Sequence, residues 1–404
     1  MEELPVDIKM EIFSRLPPDP LLNCKLVCKT WEKLLSHRKV GLLFLIRTPS
    51  KRNLELYYGS YDEIYDKANS GEEFPHKSLT KIIHPGINWQ GSLQCFFIDH
   101  IVGSCNGLVC IRVPHHKVLD PVYICNPITT EYINLPRIKH KKGFVVSGFG
   151  YHPSNNKFKV IRIHYPDREY SDMPITSKGS VEIYTLGSDS GWRSIGEITY
   201  AISRRGVLAN GTIYWLDYEQ AKIVAFDLLN EEFRVLPTIP QCLDVSDKAL
   251  YRKKKILYQM RVLGGRMCLV YYVFGKDMDI WSYKKIDDVE EGSQSWSWIL
   301  EFRIPSSVID VNELHEPFAL TKNNEVLIWV AKRGISCYDK KTESLKVLVE
   351  EDYRLGECQG IPHMSCFLSV KSFGMKVKSR KNQHTEKKMS PNNKTKYIIT
   401  RDFV

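Results

Sequence analysis

Cysteine, histidine and glycine patterns bear first on whether this chain can be a catalyst. It has eleven cysteines: Cys24, Cys28, Cys95, Cys105, Cys110, Cys125, Cys242, Cys268, Cys337, Cys358 and Cys366. Cys24 and Cys28 form an isolated pair at helical spacing, and Cys105 and Cys110 fall in a β-rich run. Neither has a second pair at zinc-ribbon spacing. Cys358, His363 and Cys366 lie close together beside an apolar strand, where packing is the better reading than ligation, and His115-His116 reads as a loop pair. No metal is expected. Gly148-Phe149-Gly150 lacks the third glycine and following helix of a dinucleotide loop, and the chain has no Gly-x4-Gly-Lys-Ser/Thr loop or Gly-x-Ser-x-Gly elbow. No catalytic residue and no cofactor are therefore assigned. Acid and base pairs assembled from distant segments leave no local signature.

A second group could act by stacking rather than by bond making. Tyr123, Tyr184, Trp192, Tyr214, Trp215, Trp281, Trp296, Trp298, Trp329 and Tyr338 recur along the chain and could offer platforms for bases or sugars. Aromatics also suit a pleated, half-buried surface, and core is the expected role for most of them.

After Lys39 short β-rich runs alternate with Gly, Asn, Asp and Pro turns. A phrase recurs in which an apolar strand ends at Asn or Asp, turns, and meets a second strand. It begins at Val122, Val181, Ile223 and Gly334, with a stretched copy from Met278. Each copy follows one or two further strands, at Gly107, Lys157, Gly211, Arg266 and Glu325. Units of roughly 40–60 residues with three or four strands have the cadence of propeller blades. Five blades are visible, and a sixth is expected from both chain ends: strands at Leu43, Leu54 and Ser92 with a late strand at Pro362. An all-β, six-bladed propeller is the expectation, with five to seven blades compatible with the spacing.

Residues 4–38 differ. Ile8, Ile12, Phe13 and Leu16 recur at helical spacing until Pro17-Pro18 ends the helix. Asp19 and Pro20 start a second helix through Leu21, Leu22, Leu26 and Val27, and Thr30 can cap a third carrying Trp31, Leu34 and Leu35. So short a three-helix unit cannot bury enough surface to stand by itself. A partner protein, or the next domain, must supply the missing core.

The net charge of +10 is local: residues 371–401 hold ten bases and one acid. The rest of the chain is almost neutral, with no overall footprint for nucleic acid, so nucleic acid is not an expected partner. The Lys-rich stretch 372–404 is expected to be disordered for lack of apolar content. Its segment Lys376–Lys381 has the character of a weak basic nuclear signal, with a solubilising tail as the plainer reading. The 43% apolar share supports a large core, and the scattered, odd-numbered cysteines read as reduced thiols of the cytoplasm or nucleus. The acidic start lacks the basic and apolar regions of a signal peptide, and no apolar run approaches the roughly 20 residues that span a bilayer. No membrane association is expected.

The opening Leu4-Pro5, Arg15-Leu16-Pro17 and the Val27-Cys-Lys-x-Trp31 signature together resemble an F-box. The β region is similar to the F-box-associated, kelch-like domain of plant F-box proteins. Its markers are Cys105-Asn-Gly-Leu108, the Asn-Pro-x-Thr-x-Glu-x-x-x-Leu-Pro phrase from Asn126 to Pro136, and Gly148-x-Gly-Tyr151. Only Gly264-Gly265 offers the Gly-Gly doublet usual in a kelch blade.

The resemblance implies three parts: an F-box over 1–40, a propeller-like domain over 41–371, and the tail. It also implies the substrate-recognition adaptor of an SCF-type cullin ubiquitin ligase. In that role the F-box binds the Skp-type linker, and through it cullin, while the β domain captures a protein to be ubiquitinated and degraded. Leu4, Pro5, Ile8, Ile12, Leu16, Leu21, Leu26 and Val27 are the expected linker face, and Phe13, Trp31 and Leu34 the internal F-box core. Such an adaptor is not itself an enzyme. The substrate-binding residues are not legible. Two other functions compete: a propeller binding proteins or glycans outside the ligase, and a nucleic-acid binder acting through the tail.

Overall fold

The computed structural model describes the chain from Lys39 to Ser379, apart from 48–52, 61–79, 89–99, 167–177, 237–255, 288–293, 351–356 and gaps of one to three residues. The three expected F-box helices lie outside the described residues.

Six antiparallel sheets form the structure. The first joins β1 (Lys39–Arg47), β2 (Asn53–Ser60) and β3 (Thr80–Asn88) to β24 (Glu357–Ser365). The second holds β4 (Ile101–Cys105), β5 (Leu108–His115), β6 (Val118–Cys125) and β7 (Glu131–Asn134), with β25 (Lys378–Ser379) on its outer edge. The third runs β8 (Phe144–His152), β9 (Lys157–Tyr165), β10 (Gly179–Thr185) and β11 (Trp192–Ile198). The fourth comprises β12 (Val207–Ala209), β13 (Thr212–Asp217), β14 (Lys222–Asp227) and β15 (Glu232–Val235). In the fifth are β16 (Ile256–Leu263), β17 (Arg266–Val273), β18 (Met278–Asp287) and β19 (Gln294–Ile304). The sixth consists of β20 (His315–Leu320), β21 (Val326–Val330), β22 (Gly334–Asp339) and β23 (Ser344–Glu350).

One end strand of each sheet, β24, β4, β8, β12, β16 and β20 in turn, adjoins the next and returns to the first. This ring is a six-bladed β-propeller closed by both chain ends: β1 pairs with β24 over its whole length, from Lys39 opposite Ser365 to Arg47 opposite Glu357. Closure removes the edge that an open array would expose. The outer strand of this blade is β3 rather than the run expected at Ser92, whose residues up to Asp99 lie outside the described residues.

The core is layered between blades. Leu43, Leu45 and Leu56 pack on Ile101, Val109 and Ile111. Phe144, Val146 and Ile161 pack on Ile213, Trp215 and Phe226. Burial falls from inside outward: β13 is buried at every position, whereas β11 alternates towards solvent. Middle strands have a sheet neighbour on each side and a blade against each face, so they read as unbroken apolar runs.

Two turn types repeat and explain the marker phrases. Asn106-Gly107, Asn210-Gly211 and Gly264-Gly265 all have positive φ and join the first and second strands of their blades, as a two-residue hairpin of this hand requires. At the turn between third and fourth strands, Asn126, Asp227 and Asp339 accept backbone N–H groups through their side chains. Four residues on, Thr130, Glu231 and Glu343 take positive φ and swing the chain into the outer strand.

Candidate functional site

The eleven residues assigned to the linker face and F-box core, Leu4, Pro5, Ile8, Ile12, Phe13, Leu16, Leu21, Leu26, Val27, Trp31 and Leu34, all lie outside the described residues. The structure therefore speaks to the propeller: how it is closed, what stiffens it and which chemistry its side chains offer.

Closure is sealed by polar side chains between β24 and β4. The Gln359 amide accepts from Ile101 N–H at 2.9 Å and donates to Ile101 O at 3.1 Å, and Arg205 Nη1 donates to the same carbonyl. Three residues along β4, Ser104 Oγ lies 2.8 Å from His363 Nδ1, and the His363 ring meets Tyr58 edge-on. His363 is 1% exposed, and burial pushes its imidazole down to about 4. It is a neutral histidine packed in the closing seam. Cys366 lies outside the described residues. Neutral His363 is the folded form, so its contribution is fully present above the ordinary histidine range and declines as pH falls from about 6.5 towards about 4. Denaturant titrations at pH 7 and pH 4 should differ by about 3 kcal/mol from this group. His363→Gln should flatten that part of the profile, and an unchanged profile would refute the assignment.

The Asn-Pro-x-Thr-x-Glu phrase does more than turn the chain. Asn126 Nδ2 donates to Leu368 O at 2.8 Å, and Glu131 Oε2 accepts from Ser369 Oγ at 2.8 Å and Val370 N at 2.9 Å. The phrase thus latches the segment that follows the closing strand. That segment forms a 3₁₀ turn, Val370–Phe373, with Val370 fully buried and Phe373 edge-on to Phe158 at 5.6 Å. Order therefore passes the expected boundary at 372, because Phe373 anchors a stretch whose lysines mask it in the composition. Lys378 and Ser379 then pair with Tyr132 and Glu131 of β7. The rest of the tail lies outside the described residues.

Ion pairs tie blade to blade. Between the second and third, Arg162 Nη1 lies 3.1 Å from Asp120 Oδ1 and Nε lies 2.7 Å from Glu182 Oε2, with the guanidinium 3.9 Å above the Trp192 ring. Asp120 Oδ2 accepts Ile138 N–H at 2.8 Å. Burial raises the Asp120 carboxyl above its usual range even though the Arg162 guanidinium pulls the other way. Between the third and fourth, Lys159 and Arg193 both reach Glu231. Burial pushes Glu231 up, but these hydrogen bonds prevail and hold it below the usual range. Between the fifth and sixth, Arg261 pairs with Glu316 at 3.2 Å and donates to Pro317 O. Sequence reading missed these residues. Their signal was present as single charges inside apolar strands, Asp120 in VLDPVYIC and Arg162 in KFKVIRIHY.

Cys105, Cys110, Cys125, Cys268 and Cys337 are free thiols. Burial pushes Cys125, Cys268 and Cys337 up to about 12 and Cys110 well above its ordinary value, so these four stay protonated and unreactive at neutral pH. Gly148 and Gly150 serve packing: a Cβ at Gly148 would fall 2.8 Å from Trp215, and one at Gly150 2.7 Å from both Leu208 and Leu228. They let the fourth blade lie against β8. Of the aromatics singled out, Tyr123, Tyr184, Tyr214, Trp215 and Tyr338 are buried, while Trp192, Trp281, Trp298 and Trp329 are half-buried. Trp296 is 46% exposed and stacks on Tyr283 at 5.2 Å.

A closed ring of six blades, stiffened across its seams and latched at its C-terminal end, places the chain among the β-propellers. A family model described as F-box associated beta propeller domain matches residues 72–362, and one described as F-box-like matches residues 1–40. The chain belongs to the plant F-box proteins with an F-box-associated propeller. F-box protein At3g07870 of Arabidopsis thaliana is 27% identical over 393 residues, covering 86% of this chain and 88% of its own. F-box protein DOR of the same plant is 27% identical over 250 residues, 57% of this chain and 60% of its own. F-box/kelch-repeat protein At3g23880, also from Arabidopsis thaliana, is 26% identical over 314 residues, 74% and 79%. Among solved structures, a chain of the nidogen/laminin complex aligns over 80% of this chain and 98% of its own at 10% identity. Its TM-score of 0.36 is too low to inform function.

Proposed function

We propose that this protein is the substrate-recognition adaptor of an SCF-type cullin ubiquitin ligase, acting in the cytoplasm, the nucleus or both. One observation carries the reading: a single chain joins an F-box-like segment over residues 1–40 to a propeller matched over residues 72–362. The short segment has an apolar stripe and too few residues to bury it, so binding the Skp-type linker completes its core. If about six large apolar side chains enter that interface, each contributes at most ~1.5–3 kcal/mol, and association and ordering costs leave a nanomolar to micromolar complex. The propeller holds the target rigidly while a carrier enzyme, brought by cullin, supplies the chemistry. The adaptor raises effective concentration and takes no covalent part.

The test compares proteins recovered on the intact chain with those on a chain beginning at Lys39. Linker and cullin should come with the intact chain only. Targets should come with both and accumulate on the shortened one, where they are held but not presented. Identical recoveries, with linker on both, would remove the reading.

A further inference from the structure

The connection from β7 to β8 contains Arg137-Ile138-Lys139-His140-Lys141-Lys142, four lysines or arginines and one histidine without an acid, in a body otherwise close to neutral. We infer that this loop is the surface on which the propeller docks an acidic, carboxylate-rich stretch of its protein target; the inference rests on the adaptor reading and names the chemistry of what is captured.

The loop is built rather than loose. Ile138 is buried with Val118 and Val145, and its N–H is held by Asp120. Pro136 O accepts from Trp192 Nε1 at 2.7 Å, and His164 Nε2 donates to Lys142 O at 2.9 Å. The His140 ring lies flat on His164, 4.3 Å away and 12° from parallel. These anchors leave Lys139, His140 and Lys142 exposed.

The charge of Lys139 and Lys142 is not consumed locally, whereas Arg137 is coupled to the buried Asp120 carboxylate. Asp120 and Glu182, the neighbouring acids, are engaged by Arg162. Among the described residues neither Lys139 nor Lys142 makes an ion pair, and Arg137 Nη1 is buried without a hydrogen-bond partner. That atom is enclosed, so the surface a ligand meets is the exposed Lys139, His140 and Lys142. The loop joins an outer strand to the innermost strand of the next blade, so it crosses the propeller face, where connecting loops carry partner contacts.

The spread of the cations selects the ligand. From Lys139 to Lys142 the backbone can span at most roughly 10 Å. A phosphate group concentrates its oxygens at one point, whereas a row of carboxylates on an extended peptide is distributed over a comparable length. Single-stranded nucleic acid would call for stacking platforms beside the cations. The Trp192 ring beside the loop is already covered by Arg162 and packed on Tyr184, and the exposed Trp296 lies on the fifth blade.

The test uses the full-length protein with its linker and a short fluorescent oligoglutamate peptide. Binding should weaken steeply with salt, and Lys139→Glu combined with Lys142→Glu should weaken it by roughly tenfold or more. Lys139→Arg with Lys142→Arg should retain it, and linker capture and thermal midpoint should be the same in all three proteins. Binding no better than oligoglutamine, indifference to the charge reversal, or preference for a phosphoserine peptide without acidic side chains or for single-stranded RNA would each overturn the inference. Loss of linker capture by the unaltered protein, with oligoglutamate binding intact, would instead count against the adaptor reading alone.

Discussion

Replacing Arg162 by methionine is expected to destabilise the propeller by about 3–5 kcal/mol, the usual consequence of leaving one member of a buried ion pair alone. Asp120 is fully buried, and without Arg162 it keeps the Ile138 N–H hydrogen bond and the more distant charge of Arg137. The Glu182 contact and the stack on Trp192 are lost together with it. Because burial already raises Asp120, the carboxyl in the variant takes up a proton more readily still. The deficit should therefore be greatest at neutral pH and shrink as pH falls. Combining Arg162→Met with Asp120→Asn, which keeps an acceptor for Ile138, should recover much of the loss. Denaturant midpoints of the three proteins decide it. A single-variant loss below about 1 kcal/mol would mean that the seam is solvated and the pair ornamental.

The second large effect concerns Ile8 and Ile12, four residues apart in the F-box-like segment. If they lie on the proposed linker face, changing both to aspartate removes two apolar contacts of ~1.5–3 kcal/mol each and sets charges where desolvation is costly. Linker affinity should fall by at least ~100-fold at 1.4 kcal/mol per decade. The propeller, whose closing strands begin at Lys39, should keep its thermal midpoint. Capture at unaltered strength would show that these residues do not face the linker.

The blade count was legible because a turn chemistry recurs: Asn-Gly or Gly-Gly after the first strand in three blades, and Asn or Asp after the third strand in three. Closure by both chain ends was legible from leftover apolar strands at each terminus. The outer strand of the closing blade was not, since TKIIHPGIN carries a proline and a glycine that read as a turn. The order around Phe373 was hidden for a related reason: composition averages over a window, while one aromatic ring seated on Phe158 fixes a position. Asp120 and Arg162 were visible as charges in apolar runs, but 42 positions separate them, and only the stacking of neighbouring blades brings them together. The cationic loop after β7 vanished in the overall near-neutrality of the body, because charge summed over a chain says nothing about where anchors expose it.

The most direct measurement is a calorimetric titration of the purified full-length protein with a Skp-type linker, beside a chain beginning at Lys39. The expected result is a one-to-one complex with the full-length protein, a dissociation constant between about nanomolar and micromolar, and a negative heat-capacity change from apolar burial. The shortened chain should give no heat. Equal binding by both chains, or none by either, would contradict the assignment of the first forty residues as the hook by which the propeller joins the ligase.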